Sequence, residues 1–305
     1  MQASIFTEIL LPLALAFVMF GMGLTLTVAD FTRLLKAPKA IVVGLVGQTV
    51  LLPLLAFGLC MAFSLHPAMA IGIMILSACP GGTMSNLISH IGRANLALSV
   101  SLTALSTFIC VFSTPFIIHY SMDYFAGENA PSFSIVTTVV GLVCVSIVPV
   151  IIGMAIRHFK PAFSIKVEGF FRTFSLWFMI AMIIGILISE RANLMASLEE
   201  ALLVCLALNI SAVILGLILA FAFKLSNIDG ITLAIEVGVQ NAALAMLICI
   251  TFLNSPEFAV AAGVYGLTMY AGPGLLAVWS KRLKNATKSA DDDEGKDKTL
   301  ATQKA

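Results

Sequence analysis

Charged residues are scarce in this chain: Asp, Glu, Lys and Arg make up 11% of its 305 residues, whereas 60% of the residues are hydrophobic. A soluble domain of this length does not need so much apolar surface, so the composition excludes an ordinary soluble protein. Several apolar runs approach twenty residues, the length of a membrane-spanning helix. The sequence therefore predicts an all-α, polytopic membrane protein. No basic residue precedes the first apolar run, so we expect no cleaved signal peptide.

The sequence also lacks paired cysteine motifs and the motifs that surround a catalytic nucleophile. The six cysteines lie in or at the ends of apolar runs and lack the paired spacing of zinc ligands, so they are predicted to be small core residues. Ser85, His90 and Cys79 are candidate reactive groups, but no Ser-Lys pair, Asp pair or His-Glu-x-x-His motif accompanies them. We therefore expect neither an enzyme nor a nucleic-acid partner.

The apolar runs predict about nine membrane spans. They lie at about 5–28, 41–64, 67–93, 94–119, 135–156, 174–188, 198–223, 231–253 and 258–280. If the C-terminus is cytoplasmic, Arg191 alone of the 17 Lys and Arg residues falls outside. This asymmetry predicts an outside N-terminus and a cytoplasmic C-terminus in a cell membrane, for a bacterial protein the inner membrane. The charged segment 284–305 is predicted to be a disordered cytoplasmic tail.

Two of the nine runs contain helix-breaking residues. The third is interrupted by Pro80, Gly81 and Gly82, and the eighth contains Gly238. Each is the second-last span of its half, and an odd number of span steps separates them, so the halves have opposite orientations. Inverted repeats with broken helices near the bilayer midplane are typical of secondary transporters. A receptor or scaffold would not need two buried breaks.

Glu236 lies inside the eighth apolar run, where a carboxylate costs roughly 3 kcal/mol unless a partner offsets it. Gln240 shares its helical face at i, i+4 spacing. Asn241 joins them only if the backbone unwinds near Gly238. Amide oxygens and free carbonyls around a carboxylate favour a small hard cation. The alternative is a protonated Glu236 that joins two helices by hydrogen bonds.

Further polar side chains are expected to supply oxygen atoms to this site. Thr83, Ser85 and Asn86 stand at the first break, and Ser99 and Thr103 share one face of the next span. Each hydroxyl alone could instead bond back to the i−4 carbonyl of its own helix. Gln48, in the second span, could equally join two helices. Together with Glu236, these oxygens predict a sodium site.

Four sequence motifs resemble those of the bile acid:sodium symporter family. They are residues 20–26, 79–86, 95–99 and 236–241, and the resemblance extends over about residues 15–280. It implies a core domain with two crossing broken helices (about 41–119 and 198–280) and a panel domain that moves against it (about 5–28 and 135–188). The resemblance also implies that the leading helix of ten-helix bacterial relatives is absent from this chain.

Carried over residue by residue, the resemblance implies two sodium sites and a substrate site. The first sodium would be held by Ser85, Asn86, Ser99, Thr103 and Glu236. The second would be held by Gln48, Glu236, Gln240 and the carbonyls of Val237 and Val239. Thr83 and Asn241 would face the substrate. The ninth span departs from the family pattern, because Met269 and Tyr270 stand where a more polar pair is expected.

We therefore expect a sodium-coupled symporter that imports an organic anion by alternating access. The anion could be bile-acid-like, pantoate-like or another carboxylate or sulfonate, and sodium ions would be the coupling ions with no other cofactor. The alternative is a proton-coupled or uncoupled carrier of the same fold. The expected partners are the anion, Na⁺ and the lipid bilayer. The oligomeric state stays open, and a monomer is possible.

Overall fold

The computed structural model describes residues 6–36, 38–129 and 131–281, so the predicted tail at 284–305 lies outside the described residues. The described chain is almost entirely helical. Its helices are α1 (Leu11–Gly23), α2 (Val28–Lys36), α3 (Pro38–Ala62), α4 (Pro67–Ala78), α5 (Met84–Ile91), α6 (Leu96–Ala126), α7 (Ile135–Phe159), α8 (Pro161–Ser189), α9 (Arg191–Ala222), α10 (Asn227–Gly238), α11 (Ala242–Phe252), α12 (Ala259–Thr268) and α13 (271–281).

Six helical stretches within the described residues are long and apolar enough to cross a bilayer. They are α3, α6, α7, α8, the C-terminal 25 residues of α9, and Pro256–Lys281, which contains α12 and α13. Three shorter apolar helices are Glu8–Gly23, Pro67–Ala78 and Ala242–Phe252. The prediction of an all-α membrane protein is confirmed. The count of nine spans and the inverted repeat stay predictions.

Several predicted boundaries were wrong, because hydropathy marks the bilayer-embedded part of a helix and not its hydrogen-bonded length. α8 begins at Pro161, not near residue 174, and its first turns contain polar residues. The first span ends at Gly23, and the chain turns before the amphipathic α2. Asp30 starts that helix, because its carboxylate accepts hydrogen bonds from the backbone and side chain of Thr27.

Both predicted helix interruptions are present. α4 ends at Ala78, where the following Cys79 is extended (φ −74°, ψ 156°), and α5 begins only at Met84. A residue before proline is excluded from the helical region by steric contact with the proline ring, which explains the conformation of Cys79. α10 ends at Gly238, and α11 begins at Ala242.

The helices pack in two groups. α1 packs mainly on α7 and α8, whereas α4 packs on α3, α6 and α12, and α9 packs on α10 and α12. Gly23 and Gly153 let α1 and α7 approach closely, since a Cβ at either position would overlap the backbone of the other helix. α8 also contacts α12, and α6 contacts α7, so the groups touch along these helices. The division into core and panel domains stays a prediction.

Candidate functional site

The two unwound segments cross and pair with each other. The Gly82 amide donates to the Val239 carbonyl (2.9 Å), and the Asn241 amide donates to the Pro80 carbonyl (3.0 Å). Backbone groups freed by a helix break inside a membrane need partners, and here each segment supplies them to the other. A Cβ at Gly82 would lie 2.8 Å from the Gln240 carbonyl oxygen, so this close crossing requires glycine.

Glu236 lies beside this crossing with only 2% of its surface exposed. The Ser85 hydroxyl donates to its Oε2 at 2.7 Å, and the Ser99 hydroxyl lies 2.8 Å from the same oxygen. The Thr103 hydroxyl donates to Oε1. α5 and α6 thus surround a carboxylate of α10 with three hydroxyl groups. The structure brings together all the side chains predicted for the first sodium site except Asn86, which is reached through Ser99.

Oxygen acceptors in this cluster outnumber the hydroxyl protons available to them. Ser99 Oγ lies 2.8 Å from both Asn86 Oδ1 and Glu236 Oε2, but it has only one proton to donate. Thr103 Oγ1 lies likewise between the Ser99 carbonyl (3.1 Å) and Glu236. A small cation would satisfy these oxygens better than the hydroxyl protons alone, so the residues fit such an ion.

The chemistry of the donors also indicates the kind of ion. Within the described part of the chain, no three His, Cys, Asp or Glu side chains converge as transition-metal ligands would. One carboxylate, three hydroxyls and an amide oxygen form an all-oxygen set with a single negative charge. Such a set suits a hard monovalent cation and not a soft metal.

A second polar cluster lies on the other side of the crossing. Gln48 Nε2 donates to Gln240 Oε1 (2.7 Å) and lies 3.3 Å from the Cys79 carbonyl, while Gln240 Nε2 donates to the Val237 carbonyl (2.8 Å). Gln48 Oε1 is buried and has no hydrogen-bond partner in the described structure. An unpaired buried oxygen is costly, so this cluster also fits a cation.

The second predicted sodium site is only partly assembled. Gln48, Gln240 and the Val237 carbonyl are in contact, but the Val239 carbonyl accepts the crossing hydrogen bond from Gly82. Among the described residues, the hydrogen bonds of Glu236 go to the hydroxyl cluster and not to either glutamine.

A cavity of about 380 Å³ begins at the crossing and extends between α1 and α8 on one side and α5 and α6 on the other. Thr83 and Asn86 are among its lining residues. Thr83 also lines a smaller cavity of about 30 Å³ that includes Asn241. Both predicted substrate residues are half-buried beside this smaller space. Asn241 Oδ1 caps α11 by accepting from the Leu244 amide (3.1 Å), which leaves its amide nitrogen for a ligand.

Sequence reasoning missed the polar wall of the larger cavity. Glu168, Arg172 and Ser175 of α8 line it, opposite His90 of α5. In the sequence, Arg172 is only one of the sixteen Lys and Arg residues that are predicted to be cytoplasmic, and His90 is only a candidate reactive group. The available signal was the i, i+4 spacing of Glu168 and Arg172, which puts both on one helical face.

The chain is similar to known proteins over most of its length. Residues 12–197 match the model of the Sodium Bile acid symporter family. The chain is 31% identical over 284 residues to the uncharacterized sodium-dependent transporter YocS of Bacillus subtilis, covering 92% of this chain and 87% of that protein.

Two further relatives come from plastids and from the intestine. The chain is 29% identical to the probable sodium/metabolite cotransporter BASS2, chloroplastic, of rice, covering 90% of this chain and 64% of that protein. It is 32% identical over 250 residues to the human ileal sodium/bile acid cotransporter, covering 80% of this chain and 70% of that protein. The chain therefore belongs to the sodium bile acid symporter family, and it is a sodium-coupled membrane transporter and not an enzyme.

Proposed function

We propose that this protein couples the entry of sodium to the import of an organic anion. Two observations support this proposal: two buried oxygen clusters lie at the helix crossing, and a cavity that is lined by Arg172, with Glu168 beside it, reaches the same crossing. The anion would be bile-acid-like, pantoate-like or another carboxylate or sulfonate. The chain would act in a cell membrane with its N-terminus outside and its C-terminus in the cytoplasm.

In this proposal the hydroxyl cluster holds one sodium ion. Ser85, Asn86, Ser99, Thr103 and Glu236 supply its oxygens, and the ion neutralises the buried carboxylate. That neutralisation offsets the cost of a charge with 2% exposure inside the membrane.

The glutamine cluster would hold a second ion after a small rearrangement. Gln48 already presents an unpaired oxygen, whereas Gln240 must turn its amide away from the Val237 carbonyl. The Val239 carbonyl can keep its bond to Gly82, because a carbonyl oxygen has a second lone pair. A shared role for Glu236 would need its carboxylate to turn towards Gln240.

The observation that carries the anion assignment is Arg172 on the cavity wall. A guanidinium binds a carboxylate or sulfonate through two parallel hydrogen bonds. The volume of about 380 Å³ lies within the range of small-molecule sites. In the adjoining smaller cavity, which Thr83 also lines, the N-terminus of α11 adds positive potential and the Asn241 amide nitrogen adds a donor. The substrate anion would therefore bind close to the ion cluster.

The position of the cavity supports alternating access. Its walls belong to the two packing groups, α1 and α8 against α5 and α6, and its lining residues His90 and Arg172 lie near the segments predicted to be cytoplasmic. Movement of α1, α7 and α8 against the other helices would close this side and open the opposite one. The rival mechanism, a proton-coupled or uncoupled carrier, predicts no dependence on sodium.

The test is a melting-temperature screen of the purified protein in Na⁺ or K⁺ at equal ionic strength. Steroid conjugates, keto acids, pantoate-like acids and sulfonates are added one at a time, each with an uncharged analogue. We expect at least one anion to stabilise the protein more in Na⁺ than in K⁺. Equal stabilisation in both salts would exclude sodium coupling, and stabilisation by the uncharged analogue would exclude anion recognition.

Two substitutions test where the anion binds, and a third is a control. Arg172→Gln should weaken its binding by roughly tenfold, about 1.4 kcal/mol, because one charge-assisted contact is lost. Lys166→Gln is the control, since Lys166 is exposed on the same helix and does not line the cavity. Asn241→Ser keeps a capping oxygen but removes the amide donor, so it should weaken anion binding and preserve the sodium effect. Equal anion binding in all three variants would contradict the assignment.

A further inference from the structure

Asn209, in the middle of α9, uses its whole side-chain amide on the backbone of two other helices. Its Nδ2 donates to the Gly238 carbonyl (2.9 Å) and to the Met269 carbonyl (3.0 Å), and its Oδ1 accepts from the Gly272 amide (3.0 Å). The side chain is fully buried. A buried side-chain amide whose donors and acceptor are all hydrogen-bonded fixes the relative positions of the segments that it joins.

The two carbonyl groups to which Asn209 donates have no donor in their own helices. Gly238 is the last residue of α10, so its carbonyl has no donor further along that helix. The Met269 carbonyl would accept from residue 273, but that residue is Pro273 and has no N–H. Tyr265 of α12 supplies a second donor, since its hydroxyl lies 2.9 Å from the Gly238 carbonyl.

Glycine at positions 238 and 272 makes this contact possible, because a larger residue would have a Cβ in the way. A Cβ at Gly272 would lie 2.9 Å from Asn209 Oδ1, and a Cβ at Gly238 would lie 3.0 Å from Pro273 Cγ and from Val213 Cγ2. The two helix interruptions are therefore packed against Asn209 with almost no free space. If the Gly238 carbonyl moves, the Asn209 side chain has to move with it. Asn209 in turn moves the turn at 269–272, to which it is also hydrogen-bonded.

The two joined segments belong to different parts of the proposed mechanism. Gly238 directly follows Glu236 and Val237, which take part in the two oxygen clusters. Met269 and Tyr270 line the small cavity together with Asn241. Asn209 and Tyr265 thus stand between the ion clusters and a wall of the substrate space. Within the described structure, the hydrogen bonds given above go to backbone groups and not to an ion ligand's side chain, and neither residue lines the two cavities.

We propose that Asn209 and Tyr265 are positioning residues that transmit sodium binding to the substrate-facing turn at Met269–Tyr270. This inference rests on the proposed sodium coupling. Ion binding orders residues 236–240 and fixes the direction of the Gly238 carbonyl. The clamp formed by Asn209 and Tyr265 then fixes the turn that faces the substrate. A purely structural role would keep the fold together but would not make this turn respond to sodium.

The experiment measures how accessible the turn at Met269–Tyr270 is to a labelling reagent. A cysteine is placed at Tyr270 in a Cys144→Ala background, because Cys144 is exposed and the other described cysteines are buried. The rate of maleimide labelling is compared in Na⁺ and K⁺, and the sodium-dependent rise in melting temperature is measured on the same protein. We expect sodium to change the labelling rate severalfold in this reporter protein.

Two variants weaken the clamp but keep all the proposed sodium ligands. Tyr265→Phe removes one of the two donors to the Gly238 carbonyl, and Asn209→Asp replaces a donor by an oxygen that faces two carbonyls. Each should keep most of the sodium-dependent rise in melting temperature but lose at least half of the sodium effect on labelling. Ser121→Ala is the control, because it deletes a buried hydroxyl that bonds within α6, and it should change neither value.

The outcomes separate this inference from the proposed function. A reporter protein without any sodium-dependent rise in melting temperature refutes the sodium coupling itself. A normal rise with an unchanged labelling response in both variants refutes the transmission. Loss of both responses in Tyr265→Phe also refutes it, because the clamp would then only build the ion site. If Asn209→Asp does not fold, Tyr265→Phe decides between these results.

Discussion

Replacing Glu236 by Gln tests the proposed ion site most directly. The variant keeps the length of the side chain but removes the charge that accepts hydrogen bonds from Ser85, Ser99 and Thr103. If Glu236 only joins helices, an amide can take over part of that role. If it is an ion ligand, the loss of its charge removes the main attraction for the cation.

The magnitude follows from the burial of the carboxylate. Glu236 is 2% exposed, so its charge is poorly screened by water. At an effective dielectric constant of about 20, two unit charges about 4 Å apart attract by roughly 4 kcal/mol. Because about 1.4 kcal/mol corresponds to a tenfold change in a binding constant, the Kd for sodium should rise roughly a thousandfold.

This change in Kd predicts a clear difference in thermal stability. At a sodium concentration about one hundred times the Kd of the parent, binding stabilises the parent by about 2.7 kcal/mol. In the variant, the same concentration is about one tenth of the Kd, and stabilisation falls below about 0.1 kcal/mol. For a chain of this length, the parent should melt roughly 5 °C higher in Na⁺ than in K⁺.

The assay compares melting temperatures in Na⁺ and K⁺ at equal ionic strength. The Glu236→Gln variant should lose the rise in Na⁺ without melting lower than the parent in K⁺, because it no longer buries an unpaired charge. Glu199→Gln, an exposed acid-to-amide change on α9, should keep the full rise. A full sodium-dependent rise in Glu236→Gln would refute the ion site, and its absence from the parent would support the structural alternative.

Two further predictions concern the crossing and the orientation of the chain. Gly81→Ala should weaken sodium binding at least roughly tenfold, because its Cβ would lie 2.6 Å from Glu236 Oε1 and force the carboxylate to move. Gly58→Ala, whose Cβ would meet nothing within 4 Å, should leave sodium binding unchanged, and equal loss in both would contradict this reasoning. Cysteines at Glu128 and Lys166 should be labelled from opposite sides of the membrane by an impermeant reagent, and labelling of both from outside would contradict the predicted orientation.

The helix interruptions could be predicted because they depend on local chemistry. Pro80 excludes the helical conformation for Cys79, and the neighbouring glycines permit the extended crossing. Glu236 could be predicted as a functional residue because a carboxylate in an apolar run needs a partner. The grouping of Ser85, Ser99 and Thr103 around it came from the family resemblance together with the oxygen-rich pattern.

Other features could not be predicted, because they depend on which helices meet. Nothing near Asn209 in the sequence indicates that its amide completes two distant helix interruptions. In the sequence, Arg172 is like the other charges that are predicted to be cytoplasmic, and only the position of α8 opposite α5 places it on the cavity wall. The start of α8 at Pro161 was not predicted either. Its first turns contain polar residues, and a hydropathy pattern indicates only the apolar part of a helix.

The sequence by itself determined the membrane environment, the places where helices break and the acid that requires a partner. These properties follow from the transfer of residues out of water and from backbone sterics, which act over a few neighbouring residues. Only the tertiary structure decided the hydrogen bonds that join these oxygens to Glu236, how the Gly238 carbonyl is held and which side chains line the cavity. Such contacts join residues of different helices, 151 positions apart for Ser85 and Glu236 and 29 for Asn209 and Gly238, and only the packing of whole helices brings them together.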